Sequence, residues 1–527
     1  MNMFAGVRWW SALASVALLA FLQGCVALAP SHNPPVAAMP ASPEDFLSRA
    51  AAQPGLGPQE SAFRPLALSA YALDARLALI ARAQRSIDVQ YYLLQSDGVG
   101  RHFLRALRDA ALRGVRVRVL VDDLYTADTQ ELLADFEATP NVEVRLFNPF
   151  PAGRRLDATR WGLSLLDISR LNRRMHNKLL VADGVLAVVG GRNMADEYFL
   201  QHASGNFADF DLLLTGAAVP ELAAGFDAYW NSPRVHALAR LLPSDEPPAA
   251  RQARFDAATA RSHDTLPPLP AAAQDLLGYG PVSAALMHPP MKMLRGTVQV
   301  LVDDPEKAAG RAEDGDDPHT VTQQTLTAIL RTQRELLLVS PYFVPGERGM
   351  AAIREGRRKG VAITLVTNSL AATDESFVSA AFARYRPMLL REGVQVVEIS
   401  PKVLDREAAA HRPGGSSAGR MHVKGFVIDR RITFVGSMNM DFRSSRLNTE
   451  VGLLVDSPAL AEDVIQLIDT LRRLGSYQLR LSTDDQHVQW VETRDGEAQV
   501  YDDEPGVDLA TRLKIFFFSR LISEKLL

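Results

Sequence analysis

The chain has 527 residues, 47% of them hydrophobic and 22% charged, with a formal net charge of −4. That size and apolar content describe a folded protein of about two ordinary domains. The acidic balance gives no support for bulk nucleic-acid binding, leaving only a local basic lip open, and a single cysteine excludes a disulfide framework within the chain.

In chain order, the N-terminal stretch "MNMFAGVRWWSALASVALLAFLQGC" places Arg8 before an apolar run from Trp9 to Leu22. The run is short for a membrane span but suits the apolar part of an export signal. Its Gln-Gly-Cys end resembles a bacterial lipoprotein signal (residues 1–25), which implies cleavage before Cys25, removing residues 1–24, and lipidation of that thiol. An uncleaved anchor is the alternative, and both put the body of the chain beyond a membrane. Residues 26–61 are rich in Pro and Ala and read as a tether. A first structured half, 62–240, opens with the helical pattern "ALDARLALIARAQ" and the strand "SIDVQYYLL". It continues with the amphipathic helix "RHFLRALRDAALRG", closed by Gly114, and the strand "VRVRVLVDD". Residues 241–295 form a Pro/Ala-rich connector, expected to hold irregular surface segments. The second half, 296–480, repeats the order: helix "TLTAILRTQR", strand "ELLLVSPYFVP", helix "GMAAIREGRRKG", strand "VAITLVTNS". Residues 481–527 are a C-terminal tail. Strands alternating with helices of this length predict an α/β fold of duplicated βαβ units with a largely parallel sheet.

The repeat carries polar residues at fixed places. "RLNRRMHNKLLVADGVLAVVGGRN" ends at Asn193, and "GRMHVKGFVIDRRITFVGSMN" ends at Asn439. His176, Lys178, Asp183 and Asn193 thereby correspond to His422, Lys424, Asp429 and Asn439. Residues two apart on a strand share a face, so each His–Lys pair aims an imidazole and an ammonium at one anion. A single such pair would usually be a structural histidine and an edge charge; its duplication argues for function. Asp183 precedes Gly184 and reads equally as a turn residue, a reading weakened at Asp429, where Arg430 follows. Zinc is a poor alternative, because no second His or Cys stands nearby. The glycines after each hairpin fit plain turn chemistry or a phosphate-holding helix start, and Asn193 and Asn439 favour the second.

These motifs resemble the phospholipase D superfamily, in which His-x-Lys-x4-Asp with a trailing Gly-x-Asn occurs twice per active site. Stretches such as "DVQYY", "FADFDLLLTG", "SPYFVPG" and "RLNTEVGLL" are similar to the bacterial cardiolipin synthase C-like branch; Gly425 departs from its usual hydroxyl residue. The resemblance implies two halves sharing one active site, with no metal or cofactor. It implies His176 as nucleophile forming a phosphohistidine, His422 as general acid, and Lys178, Lys424, Asn193 and Asn439 around the non-bridging oxygens. Acidic partners that cross between halves fall on Asp209 and Glu450, giving pairs His176–Glu450 and His422–Asp209, with Asp211 as rival to Asp209. The expected reaction is phosphatidyl transfer making cardiolipin. A phospholipase D releasing phosphatidic acid is the alternative; a nuclease-type phosphodiesterase and a non-catalytic lipid-binding protein rank lower. The expected partners are phosphatidylglycerol, with phosphatidylethanolamine as co-substrate, and a membrane surface of the bacterial envelope facing the periplasm; the need for a helper protein stays open.

Two further features are ambiguous. Arg154, Arg155, Arg160, Arg170, Arg173 and Arg174 cluster before the first motif, either drawing anionic head groups or lying solvated on the surface. The apolar step Tyr342-Phe343-Val344 is a candidate for holding an acyl chain. The tail "TRLKIFFFSRLISEKLL" either lies on the membrane or docks on the core.

Overall fold

The computed structural model describes residues 28–515 except 29, 33, 152, 155–156, 163, 165–166, 204, 263–273, 311–316, 405–417, 495–496 and 514. The signal segment, Cys25, Arg155 and the Phe516–Phe518 part of the tail lie outside the described residues.

In the first half, strands Ser86–Tyr91, Arg116–Asp122 and Val142–Phe147 pair in parallel. The first two are buried on both faces, one face apolar and the other carrying buried polar residues such as Asp88, Gln90 and Arg118. The helix Gly98–Leu112 crosses between the first two; Asp97 caps its start by accepting from the Gly100 N–H, and Gly114 closes it at φ 96°. The remaining strands, Lys178–Ala182, Leu186–Gly190, Asp211–Gly216 and Glu60–Leu66, follow in antiparallel succession. The second half repeats this layout strand for strand, with Glu335–Val339, Ala362–Asn368 and Gln395–Ile399 parallel. Antiparallel strands Gly425–Ile428, Ile432–Gly436, Val451–Asp456 and Leu294–Val302 complete it. The sheet is therefore mixed rather than largely parallel, because each duplicated motif is itself an antiparallel hairpin.

The halves join edge to edge. Glu60–Leu66 pairs antiparallel with Leu294–Val302, from Glu60 opposite Thr297 to Phe63 opposite Leu294, and the result is one 18-stranded sheet. A single apolar cluster holds Leu179, Val189 and Leu212 of one half together with Val427, Val435 and Leu453 of the other. Neither half could keep that surface dry alone, so the two fold as one unit.

The connector and the tail are more ordered than their composition suggests. Helix Pro248–Thr259 docks Phe255 on Phe136, with ring centroids 5.5 Å apart. In the tail, strands Val488–Arg494 and Glu497–Tyr501 extend the sheet beyond Ser476–Leu481. Trp490 anchors them by donating its indole N–H to Glu398 at 2.8 Å.

Candidate active site

Each motif histidine stands just before a strand, and its backbone is held by the opposite half. The His176 N–H donates to Thr449 O at 2.9 Å, and the His422 N–H donates to Ala208 O at 2.7 Å. On the second side this belongs to a small parallel pairing of Gly205–Ala208 with Ala418–Met421. The residues after Thr449 and Ala208 are Glu450 and Asp209, so backbone register alone delivers each carboxylate to the histidine across the cleft. Glu450 Oε2 lies 2.9 Å from His176 Nδ1, and Asp209 Oδ2 lies 2.7 Å from His422 Nδ1. Asp211 faces away and is bound by Arg76 and Arg192 at 3.0 and 3.1 Å.

The two carboxylates are not equivalent. Glu450 accepts from the hydroxyls of Ser437 and Ser444, at 2.5 and 2.7 Å, as well as facing His176. Burial alone would raise its carboxyl, but His176, Lys178 and Ser437 hold it below its ordinary value. Asp209 accepts from the Phe210 N–H at 2.7 Å, and burial wins, raising its carboxyl against the pull of Lys424 and Arg192. Gly191, at the place of Ser437, explains part of the difference: a Cβ there would stand 2.2 Å from Asp209 Oδ1. Glycine makes room for the carboxylate; serine reaches out to bond it.

Burial pushes His176 down to about 4, with Glu450 opposing and Lys178 assisting, and pushes His422 well below its ordinary value, with Lys424 assisting. Both lysines are bent back over their histidines. Lys178 Nζ donates to His176 O at 2.7 Å, and Lys424 Nζ donates to His422 O at 2.8 Å while lying 2.9 Å from the imidazole nitrogens. Burial lowers Lys178 well below its ordinary value and lowers Lys424 to about 8. Two lysines held dry beside two neutral imidazoles form a site in which an anion would favour the charged lysines.

Aromatic rings wall this pair. Tyr92 meets His176 edge-on at 4.9 Å, and Tyr198 and Phe207 meet His422 at 5.2 and 4.8 Å. Tyr342 stands 6.4 Å from His422 and donates its hydroxyl to Asp374 at 2.6 Å. Of these, only Tyr342 was expected near the site, as part of the apolar step; Tyr92, Tyr198, Phe207, Ser437 and Ser444 were not. The only sequence signal for them is proximity: Tyr92 lies in "DVQYY" and Ser437 in "GSMN", but their partners are set by the fold.

The asparagines differ. Asn193 is occupied internally: Oδ1 accepts from the Leu93 N–H at 3.3 Å and Nδ2 donates to the Tyr198 hydroxyl at 2.9 Å. Asn439 Oδ1 is buried without a partner among the described residues. No group of three or more metal-ligating side chains occurs among the described residues.

Asp183 and Asp429 are not part of this cluster, which corrects their place among the expected catalytic residues. They sit at the far ends of the strands that begin beside the histidines, about 16 Å away at strand rise. Asp183 accepts from the N–H groups of Gln84, Arg85 and Ser86, at 2.9, 2.8 and 3.0 Å. Asp429 accepts from Gln333, Arg334 and Glu335, at 3.0, 2.7 and 3.0 Å. Each carboxylate thus fastens the start of the first strand of its half to the motif hairpin. Both also take positive φ, 49° and 50°, and so do the residues that follow, Gly184 at 66° and Arg430 at 55°. Three residues close each hairpin, between Ala182 and Leu186 and between Ile428 and Ile432, and Arg430 accepts the strain that Gly184 avoids. Asp183→Ala is expected to cost about 2–3 kcal/mol of stability, because buried N–H groups lose their acceptor. Asp429→Ala should cost less, since its surroundings are more exposed. Urea unfolding should show the losses, with turnover per folded molecule unchanged; a collapse of turnover in stably folded Asp183→Ala would return it to the site.

The arginine cluster also departs from both of its readings. Arg154, Arg160 and Arg174 are buried, not solvated and not open to a head group. Arg154 binds Asp123 with both Nη atoms at 2.7 Å, Arg160 pairs with the same carboxylate at 3.1 Å, and Arg174 pairs with Asp122 at 3.2 Å. Arg170 bonds Asp167 at 2.7 Å, and Arg173 reaches Arg446 O across the halves at 3.4 Å.

A family model described as "Cardiolipin synthase, PLD-like domain" matches residues 77–230 and 325–472. The chain is similar to cardiolipin synthase C of Escherichia coli (strain K12), 35% identical over 476 residues, covering 89% of this chain and 97% of that one. It is also similar to cardiolipin synthase 1 of Staphylococcus aureus (strain COL), 27% identical over 391 residues, covering 74% and 63%. Among solved structures, a phosphatidylserine synthase of Haemophilus influenzae Rd KW20 superposes with a TM-score of 0.56 at 16% identity, over 88% of this chain and 94% of that one, a likeness of fold.

Proposed function

Since the chain belongs to the phospholipase D superfamily, in its cardiolipin synthase branch, and is a phosphatidyltransferase or phosphodiesterase by that membership, we propose that it makes cardiolipin through a phosphohistidine intermediate. The observation that carries the reading is the pair of reciprocal His–carboxylate contacts, each reaching across the halves within 2.9 Å. Ionised Glu450 accepts the Nδ1 proton of His176 and leaves the Nε2 lone pair free to attack phosphorus. The phosphorus–oxygen bond to the departing alcohol breaks, and His422 supplies the proton that alcohol needs. A substrate phosphodiester supplies the negative charge that favours an imidazolium at His422. In the second step the glycerol hydroxyl of phosphatidylglycerol attacks the phosphohistidine, gives its proton to His422, and the phosphorus–nitrogen bond breaks. Lys178, Lys424 and Asn439 bind the non-bridging oxygens; Asn193 serves the site through Tyr198.

Lys178 and Lys424 together set an upper pH limit, since burial lowers both, Lys424 to about 8. A lysine stabilises anionic charge only while protonated, so with Lys424 near 8 the kcat/KM should fall as pH rises through about 8. Below about 4, protonation of His176 removes the nucleophile. Lys424→Arg keeps its charge far above that range and should move the alkaline limb upward, even with a lower plateau rate. An unmoved limb would assign it to another group.

Transfer and hydrolysis share these residues and differ in the acceptor. Excluding water while positioning a lipid hydroxyl contributes several kcal/mol, roughly the margin that transfer requires. The aromatic wall around both histidines supports exclusion of water. Purified protein in mixed micelles with phosphatidylglycerol should yield mostly cardiolipin and glycerol, with phosphatidylethanolamine as added donor raising the yield. Phosphatidic acid dominating at every acceptor concentration, with cell extract supplying any helper protein, would leave the hydrolase. We place the protein on an envelope membrane, lipidated at Cys25 and facing the periplasm; no helix among the described residues is long and apolar enough to cross a membrane. Mass spectrometry of the mature N-terminus should find a diacylglyceryl-modified Cys25, and an intact Met1 would support the uncleaved anchor.

A further inference from the structure

We infer that a cavity of about 800 Å³ in the second half is the slot for one acyl chain of the phosphatidyl donor, an inference that rests on the phosphatidyltransferase reading. The cavity lies between helix Val321–Leu330, helix Gly346–Arg358 and the segment that follows the second motif. Its volume falls within the range of about 300–1,000 Å³ typical of small-molecule sites.

Its position ties it to the chemistry. Asn439 and Asp441 form part of its wall. The Asn439 N–H donates to Ser444 Oγ at 3.1 Å, and that hydroxyl donates to Glu450, the partner of His176. The wall therefore stands two hydrogen bonds from the carboxylate that orients the nucleophile. Away from Asn439 and Asp441 the lining is largely aliphatic and aromatic, including Leu326, Ile329, Phe343, Val344 and Ile353. A phosphatidyl donor carries its scissile phosphate and its linear apolar chains on one glycerol, so an apolar slot that shares Asn439 with the polar site matches its outline.

The duplication supplies an internal control. In the first half the corresponding helix, Ser69–Arg82, packs on helices Gly98–Leu112 and Phe46–Ala51, burying Tyr71, Leu73, Leu79 and Ile80. Helix Val321–Leu330 buries only Val321 and Thr325 and leaves Leu330 42% exposed. The same scaffold is sealed in one half and spread apart in the other. An apolar cleft of this size is costly in water unless a ligand covers it. The first-half counterpart of this cleft is sealed by its packed helices, so the donor enters with a defined orientation relative to His176 and His422.

The test uses phosphatidylglycerol bearing a diazirine at the end of one acyl chain, photolysed on the full-length protein. Label should map to residues 322–363 or 438–446 and disappear in Ala352→Trp, which fills the cavity from helix Gly346–Arg358. Leu326→Phe, on the facing helix, replaces it if that variant does not fold. In wild type, kcat/KM for dibutyroyl, dihexanoyl and dioctanoyl phosphatidylglycerol below their micelle concentrations should rise by up to about fourfold per methylene. The tryptophan variant should keep turnover of the dibutyroyl lipid and lose that rise. An unaltered chain-length dependence in the variant, or label elsewhere on the chain, including residues 514–527, overturns the slot. Labelling needs no turnover, so a labelled cavity without cardiolipin formation counts against the reaction and supports the slot.

Discussion

Alanine at His176 is expected to abolish both turnover and the covalent intermediate, with a loss on the order of 10⁴-fold or more, since nucleophile and base act as a unit. Alanine at His422 should separate the steps. With a p-nitrophenyl phosphodiester the departing group needs no proton, so phosphohistidine should form and then persist. His176 is taken as the nucleophile because Glu450, which faces it, accepts from two hydroxyls and is held below its ordinary value, whereas burial raises the carboxyl of Asp209 beside His422. Acid-labile phosphate on each variant, located by peptide mass spectrometry, tests the assignment. Phosphate trapped on His422 in the His176→Ala protein would reverse it. Wild-type rates in both variants would sink the two-histidine mechanism altogether. Glu450→Gln keeps the shape but removes the charge that fixes the tautomer, and should fall between wild type and His176→Ala.

The second large effect is on stability and comes from outside the reacting atoms. Asp123 is fully buried and is the shared counter-charge of Arg154 and Arg160, besides accepting the Phe150 N–H at 2.7 Å. Replacing it with alanine strands two guanidinium groups in the interior, and breaking a buried pair in this way costs about 3–5 kcal/mol. That is a large fraction of the stability of an ordinary domain. Thermal or urea unfolding of Asp123→Ala should show a loss of that order, or no folded protein at all. Arg154→Met, which removes charge and keeps volume, should cost much less. A change under about 1 kcal/mol in Asp123→Ala would mean that the arginines reach water after all.

How far the sequence reaches can be judged from these same residues. His176, Lys178, His422 and Lys424 were legible because a period of two on a strand and an exact duplication are local properties. The strand–helix order was legible for the same reason, since alternation and caps such as Asp97 and Gly114 act within a few residues. Asp183 and Asp429 show the limit of spacing as evidence. Each is five residues from its lysine at constant distance, but a strand of five residues in the first half and four in the second carries it away from the histidine and into backbone capping. The arginine run before the first motif read as head-group attraction or surface charge because its counter-ions, Asp122 and Asp123, lie at the end of a distant strand and in the turn that follows it. Composition likewise hid the helix in the Pro/Ala connector and the two tail strands, whose stability comes from Phe136 and Glu398 elsewhere in the chain.

By itself, then, the sequence determined the duplicated α/β scaffold and the chemical identity of the paired His–Lys groups, because both follow from local periodicity. Tertiary structure decided which carboxylate meets which histidine, and that only Asp209, not Asp211, reaches His422, because the parallel pairing of Gly205–Ala208 with Ala418–Met421 sets that register. It also decided that one copy of the scaffold is sealed while the other leaves an apolar slot. Such an asymmetry depends on how helices pack across a sheet, and no spacing along the chain records it.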